Sequence, residues 1–162
     1  MARVYISIGS NIDAENNIRT AVRALKEEYG RLILSSVYES EAVGFEGDNF
    51  LNLVASLKTD QDVYQVADKL RQIEDENGRD RTAERFSPRT IDLDLLLYDD
   101  LVVNDDNLQL PRDEITKNAF VLLPLEEIAP QLIHPLTGKT MCDHWLNFDK
   151  DSQKLWTVPF SF

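Results

Sequence analysis

The sequence predicts an α+β fold built on an antiparallel sheet, and three observations predict it. Short stretches alternate apolar and polar residues, two longer stretches space apolar residues as a helix does, and these follow one another in the order β-α-β-β-α-β. The chain has 162 residues, of which 43% are hydrophobic, with 6 Gly and 6 Pro, so it can bury one core. We therefore expect residues 1–162 to form a single domain.

The first half of the chain predicts a strand, a helix and two further strands. Residues 4–8 alternate β-branched and aromatic side chains and lead into a turn, which is typical of a strand. Residues 14–29 carry apolar side chains along one helical face, and Gly30 is well placed just beyond the end of that helix. Residues 32–38 and 50–57 are rich in aliphatic and aromatic side chains, so we expect two strands.

The second half begins with another helix, at residues 61–77, for which Asp60 is the expected N-cap and Gly78 the expected end. A strand at 91–98 and a short strand at 101–103 follow. This order is that of the ferredoxin-like arrangement, in which an antiparallel sheet carries its helices on one face. We expect the other face of the sheet to be free.

A C-terminal extension completes the predicted fold. Pro124 is expected to open a helix over residues 124–128, because proline suits a first helical position. A second short helix is expected at residues 141–148, before an irregular tail.

Composition excludes several classes of function. With 17 Lys and Arg against 29 Asp and Glu, the net charge is −12, which argues against nucleic acid or anionic lipid as a partner. No apolar run approaches the roughly 18 residues of a membrane span. Cys142 is the single cysteine, which excludes an internal disulfide and fits a cytoplasmic location. His134 and His144 stand apart in the sequence, so we expect structural or surface roles and no zinc site.

Asp92 and Asp94 form the first candidate site. Alternation along the strand at 91–98 places both carboxylates on one face, roughly 6.6 Å apart, and Ile91, Leu93, Leu95 and Leu97 on the other. Two adjacent carboxylates repel unless a cation lies between them, and hard oxygen ligands suit Mg²⁺ better than zinc. A solvent-facing pair with no ligand is the alternative.

Four arginines precede this strand within eleven positions: Arg79, Arg81, Arg85 and Arg89. Guanidinium groups bind phosphate oxygens in a planar fork, so arginines beside a metal-binding carboxylate pair indicate phosphoryl transfer. A solvated loop whose arginines pair with neighbouring acids is the alternative, but it does not account for the aspartates. The chain has no Gly-x-x-x-x-Gly-Lys-Ser/Thr loop and no protein-kinase signature.

The stretch at 85–94, Arg-Phe-Ser-Pro-Arg-Thr-Ile-Asp-Leu-Asp, closely resembles the signature of the 6-hydroxymethyl-7,8-dihydropterin pyrophosphokinase family. Residues 5–11, 50–52, 119–125 and 127–130 resemble further blocks of that family in the same order. The resemblance implies an ATP-dependent diphosphotransferase of folate biosynthesis, which moves pyrophosphate from ATP to a pterin alcohol and releases AMP. We expect small molecules as its partners and a monomeric state.

The resemblance also implies roles for individual residues. Asp92 and Asp94 would hold two Mg²⁺ ions along the phosphates of the co-substrate ATP, and Arg79 and Arg89 would neutralise the transition state. The residues expected to contact the pterin are Gly9, Val43, Phe50, Asn52 and Phe120. The residues expected on the ATP side are Glu74, Arg81, Arg85, Arg112 and Lys117.

Among the positions that depart from the family pattern, Arg112 stands in place of a histidine and Asn118 in place of an arginine. They support an alternative function, a catalytically weakened module of the same fold that still binds pterin or nucleotide. A Mg²⁺-dependent phosphohydrolase that uses the same aspartates and arginines on water is a further alternative.

Overall fold

The computed structural model describes residues 1–41, 49–77 and 91–162. In the first half lie β1 (Ala2–Ser10), α1 (Ala14–Tyr29), β2 (Ile33–Leu34), β3 (Val37–Ser40), β4 (Phe50–Thr59) and α2 (Val63–Glu76). In the second half lie β5 (Asp92–Tyr98), β6 (Val103–Asn104), β7 (Gln109–Leu110), α3 (Glu114–Lys117), α4 (Ala119–Ile128), α5 (Met141–Leu146) and β8 (Leu155–Val158). The fold is α+β, as the sequence predicts.

Both long helices form where their periodicity predicts them. Gly30 follows α1 with φ at 78°, a conformation that glycine adopts without a steric penalty. The N-cap of α2 is Asp62 rather than the predicted Asp60. Its side chain accepts from the Gln65 N–H at 2.9 Å while Gln65 Oε1 accepts from the Asp62 N–H at 2.8 Å, which is a capping box. The predicted end of α2, Gly78, lies outside the described residues.

The main sheet is antiparallel, and its strand order in the described part of the chain is β5-β1-β4-β3-β8, with β2 also beside β4. The strand predicted at 32–38 is divided into β2 and β3, because the register shifts by one residue between the pairs Leu34–Ala55 and Tyr38–Asn52. Such a one-residue shift is the mark of a β-bulge. At the bulge the Ser35 hydroxyl accepts the Val54 N–H at 2.9 Å.

An irregular tail was the prediction for the residues after α5, and it is wrong. The strand β8 pairs with β3 and extends the sheet, with Tyr38 opposite Thr157. The short strand predicted at 101–103 overlaps β6 at Val103 alone, and β6 pairs with the unpredicted β7. The helix predicted at 141–148 ends two residues early, at Leu146.

One face of the sheet packs on α1 and α2 through Val4, Ile6 and Ile8 of β1. The prediction that the other face of the sheet is free is wrong, because α4 covers that face. Val54 and Leu96 of the sheet belong to a second buried cluster with Leu122 and Leu125 of α4. These apolar side chains on the sheet require cover, so hydrophobic burial accounts for the position of α4.

Leu97 lies on the α4 face of the sheet, although strict alternation predicts the opposite face. The register between β1 and β5 shifts where Tyr5 pairs with Leu97 and Ile6 pairs with Leu95. The extra residue at this bulge turns both Leu96 and Leu97 toward α4.

Pro124 lies inside α4 and does not open it, contrary to the prediction. The helix starts earlier because the Asn118 carbonyl accepts the N–H groups of Val121 and Leu122 at 3.1 and 3.0 Å. Proline has no N–H to donate to the Phe120 carbonyl, and burial of the apolar face of α4 offsets that loss. No helix among the described residues has the length and apolar character needed to cross a membrane.

Candidate functional site

Strand pairing brings Asp92, Gly9 and Asn52 into one row across three strands. Gly9 of β1 pairs with Asp92 of β5 on one side and with Asn52 of β4 on the other. Directly paired residues share a face, and the neighbouring Ile8 and Leu53 point toward α1 and α2. The row therefore lies on the opposite face, where α4 packs, and its outer members are separated by two strand spacings, about 10 Å.

Gly9 leaves the middle of this row without a side chain. A Cβ atom built on Gly9 would lie 2.8 Å from Asn52 Oδ1, which is closer than Cβ atoms approach a non-bonded oxygen in real structures. Glycine is therefore required by the close approach of Asn52. The Asn52 side chain therefore lies over the backbone of Gly9, and Asp92 flanks Gly9 on the other side.

Asn52 is buried, with 4% of its surface exposed, and its orientation is fixed. Its Nδ2 donates to Ser40 Oγ on the adjacent β3 at 3.0 Å. Phe50, two residues earlier on β4, lies on the same face of the sheet, and Phe120 in the first turn of α4 packs against the buried cluster that covers that face. Phe50 thus shares a face of the sheet with Asn52, and Phe120 packs on the helix that covers that face.

Asp92 and Asp94 share the face that alternation predicts, since they pair with Gly9 and Ser7 of β1. Both are partly buried. Burial raises the pKa of Asp94 to about 6, Arg112 opposes that rise, and the charges of Asp92 and Glu114 add to it. A carboxyl group whose ionisation is disfavoured in this way gains from a bound cation.

Arg112 is the basic side chain that the structure sets beside this pair. Its backbone N–H donates to the Leu96 carbonyl of β5 at 3.0 Å, which holds residue 112 against the strand. Its guanidinium Nη2 lies 3.5 Å from Asp94 Oδ1 and 3.1 Å from Glu114 Oε1. The predicted nucleotide-side residue Arg112 is therefore adjacent to the predicted metal-side residue Asp94.

Glu74 of α2 lies at the outer edge of β5. Its buried carboxylate accepts the Leu93 N–H at 3.0 Å and so occupies a backbone donor that no further strand meets in the part of the chain that the structure describes. Beside it opens a cleft of about 210 Å³, whose lining includes Glu74, Asp94, Arg112 and Leu108. The cleft thus runs from the α2 end toward the aspartate pair.

Lys117 does not line this cleft. Its Nζ lies 2.9 Å from Asp113 Oδ2 on the same short helix, and its side chain is 67% exposed. The other predicted site residues, Val43, Arg79, Arg81, Arg85 and Arg89, lie outside the described residues.

The donor set fits magnesium better than zinc. Across residues 1–41, 49–77 and 91–162, no group of three or more His, Cys, Asp or Glu side chains is arranged to hold a metal ion. Zinc sites need three or four protein ligands, whereas Mg²⁺ is commonly held by one or two carboxylates together with water and substrate phosphates. His134 and His144, although distant in sequence, stack edge to face with ring centroids 5.5 Å apart.

Sequence reasoning missed Ser40 and Glu114 as parts of this site. Ser40 orients the Asn52 amide, and Glu114 shares the Arg112 guanidinium with Asp94. Ser40 lies 12 positions from Asn52, and Glu114 belongs to the site only because the fold brings its neighbour Arg112 beside Asp94. Neither the spacing nor the type of these residues could have identified them.

The family model of 7,8-dihydro-6-hydroxymethylpterin-pyrophosphokinase (HPPK) matches residues 5–130. The chain is 41% identical to a 2-amino-4-hydroxy-6-hydroxymethyldihydropteridine pyrophosphokinase of Aquifex aeolicus, over 87% of this chain and 89% of that protein. It is 38% identical to the Bacillus subtilis protein of the same name, over 79% and 78% of the two chains.

Solved structures show the same fold. The Plasmodium falciparum HPPK-DHPS wild type with pteroate superposes with a TM-score of 0.72 at 14% identity, over 90% of this chain and 44% of that one. This chain thus spans less than half of that longer protein. The likeness extends to the fold alone.

Proposed function

This chain belongs to the 7,8-dihydro-6-hydroxymethylpterin-pyrophosphokinase family, and we propose that it transfers pyrophosphate from ATP to the hydroxymethyl group of 6-hydroxymethyl-7,8-dihydropterin. AMP is the second product, and the reaction is a step of folate biosynthesis. The enzyme is an ATP-dependent diphosphotransferase. The observation that carries the proposal is the row Asp92–Gly9–Asn52, since it sets a carboxylate residue and an amide residue on the two strands that flank Gly9.

The pterin occupies the Asn52 end of the row. A pterin edge presents hydrogen-bond donors and acceptors side by side, and a primary amide complements such an edge with its own oxygen and nitrogen. Phe50 and Phe120 contact the flat ring by offset stacking. Gly9 and Val43 complete the residues around it. The fixed orientation of the Asn52 amide on Ser40 supports this role, because a preorganised group loses little entropy on binding.

The triphosphate occupies the Asp92 and Asp94 end. These two carboxylates hold Mg²⁺, with two ions expected, and the metal when bound neutralises charge on the phosphate oxygens. Arg112 and Glu74 line the cleft that continues from this point, which we assign to the nucleotide. The arginines Arg79, Arg81, Arg85 and Arg89 bind phosphate oxygens, and Arg79 and Arg89 neutralise charge in the transition state.

We also place Lys117 on the ATP side of the site, where it would contact a phosphate. Because its Nζ is paired with Asp113, it must leave that carboxylate to reach a phosphate. An exposed ion pair of this kind contributes little to stability, so the exchange costs little.

The chemistry is an in-line displacement. The hydroxymethyl oxygen of the pterin forms a bond to the β-phosphorus of ATP, and the bond from that phosphorus to the oxygen of the leaving AMP breaks. The hydroxyl proton passes to an aspartate or to water. The chain contributes mainly by positioning, since Asn52 holds one reactant and the aspartate pair orients the other.

Further parts of the proposal concern the whole chain. Residues 1–162 form one domain with a ferredoxin-like topology and a C-terminal extension, which the strand order β5-β1-β4-β3 and the packing of α1 and α2 on one face support. The enzyme acts as a monomer on small molecules in the cytoplasm, and its single cysteine, Cys142, is in keeping with that compartment.

The test is AMP release from Mg·ATP with and without 6-hydroxymethyl-7,8-dihydropterin. The proposal predicts that AMP and the pterin diphosphate ester form in equal amounts and only when the pterin is present. Inorganic phosphate or pyrophosphate released without pterin would establish a phosphohydrolase instead. Pterin binding with no AMP would establish a binding module.

A further inference from the structure

Glu127, near the end of α4, connects that helix to β3 and the residue before it. Its Oε2 accepts from the Ser36 backbone N–H at 2.9 Å and from the Ser36 hydroxyl at 2.9 Å, and its Oε1 accepts from the Tyr38 hydroxyl at 2.6 Å. One carboxylate thus accepts from three donors at the start of β3. Hydrogen bonds to an ionised acceptor are stronger and more directional than neutral ones.

Tyr38 continues the row that contains Asn52. Tyr38 of β3 pairs with Asn52 of β4, so the row extends from Asp92 through Gly9 and Asn52 to Tyr38. The Tyr38 side chain is buried, with 6% exposed, and burial followed by the bond to Glu127 raises the pKa of its phenol. At neutral pH the hydroxyl therefore stays protonated and donates to Glu127.

Phe120 stands on the same side of α4 as Glu127. Seven residues separate them, which is close to two helical turns, so both side chains lie on one helix face about 10 Å apart along the axis. At its other end, α4 is held by the Ala119 N–H, which donates to Gln153 Oε1 at 2.8 Å. The Glu127 carboxylate thus joins α4 by hydrogen bonds to β3, the strand that pairs with β4 at Asn52.

We propose that Glu127 is a positioning residue for the pterin, because it ties α4 to β3 and so sets the spacing between Phe120 and Asn52. The proposal rests on the proposed function, in which the ring lies between those side chains. Glu127 itself contacts neither substrate. Without the Glu127 carboxylate, α4 keeps its apolar packing on the sheet but loses its hydrogen bonds to Ser36 and Tyr38.

The test compares Glu127→Ala with Glu126→Ala, which removes the neighbouring carboxylate of the same helix, and with Glu127→Gln, which keeps an acceptor oxygen. We expect Glu127→Ala to raise the equilibrium Kd and the KM of the pterin about fivefold, while the KM of Mg·ATP and kcat change less than about twofold. Glu126→Ala should match the wild type, and Glu127→Gln should recover most of the loss.

Tyr38→Phe removes one donor and leaves the carboxylate in place. Because both groups form one bond, the effects of Tyr38→Phe and Glu127→Ala on pterin Kd should be less than additive in the double variant. A thermal melt of each variant separates loss of folded protein from loss of affinity.

Several results would overturn the inference. An equal rise in the KM of both substrates, a fall in kcat alone, or the same pterin effect in Glu126→Ala would each contradict a positioning role. The Kd of the pterin is measured without turnover. A wild type that binds pterin but releases no AMP would therefore overturn the proposed function, and the effect of Glu127→Ala on the pterin Kd would still test the positioning role. Wild type that binds no pterin overturns both.

Discussion

A Cβ atom on Gly9 would lie 2.8 Å from Oδ1 of Asn52 on the paired strand. Gly9→Ala must therefore displace the Asn52 amide, which Ser40 otherwise holds in place. We expect the KM of the pterin to rise about tenfold or more, since a misplaced hydrogen-bonding group loses its partner. Steady-state kinetics with each substrate varied in turn checks this, and an unchanged pterin KM would show that Asn52 does not bind the ring.

Arg112 is predicted to act on the nucleotide and on Asp94. Arg112→Ala should raise the KM of Mg·ATP about tenfold and leave the pterin Kd unchanged, because a guanidinium beside phosphate contributes charge-assisted hydrogen bonds. Arg23→Ala, which removes an exposed positive charge from α1, is the matched control and should change neither. An ATP KM that stays at the wild-type value would exclude Arg112 from the nucleotide site.

The same substitution has a consequence for titration. Arg112 lowers the pKa of Asp94 against the raising effect of burial. In metal-free Arg112→Ala the pKa of Asp94 should therefore lie above its wild-type value of about 6. Carboxyl-carbon NMR titration in the presence of a chelator measures this shift, and a lower pKa in the variant would contradict the contact.

Asp94 should reduce the stability of the metal-free protein at neutral pH. Its pKa of about 6 in the folded protein exceeds the ordinary value of 3.8, so the stability that Asp94 contributes is present below pH 3.8 and is lost as the pH rises through 6. Its side chain is 32% exposed, so solvent screening reduces the effect. Asp94→Asn should then raise the free energy of unfolding at pH 7.5 by about 1 kcal/mol, or about 3 °C in Tm.

Thermal melts in a chelator at pH 7.5 and pH 3.5 check this prediction. The gain of Asp94→Asn should be present at the higher pH and absent at the lower one. Asp100→Asn, in the exposed turn after β5, serves as the control and should leave the melting temperature unchanged. A gain for Asp94→Asn that is the same at both values would mean that ionisation of Asp94 does not strain the fold.

The pattern of residues along each segment predicted the features that depend on that segment alone. The helices α1 and α2 follow from apolar periodicity, and the shared face of Asp92 and Asp94 follows from alternation along β5. The position of Leu97 did not follow, because a bulge between β1 and β5 reverses alternation at that point. A bulge depends on how two distant strands pair, which one strand's sequence does not encode.

Long-range contacts account for the remaining differences. The strand β8 forms because a tail whose Trp156, Thr157 and Val158 favour strands meets its partner, β3, only in the folded chain. The contact of Arg112 with Asp94 joins residues 18 positions apart through the path of the chain after β7. Residue types indicated the metal and phosphate chemistry, whereas the partners of each group depend on the folded sheet.

In the proposed mechanism Asp92 binds the triphosphate through Mg²⁺, while Asn52, across Gly9, binds the pterin. The most direct measurement is pterin-dependent AMP release from Mg·ATP together with pterin binding, for wild type, Asp92→Ala and the control Asp100→Ala. We predict that Asp92→Ala loses AMP release by a factor on the order of 100 or more yet binds pterin within about twofold of wild type, and that Asp100→Ala matches wild type. AMP release by Asp92→Ala at the wild-type rate would contradict this account.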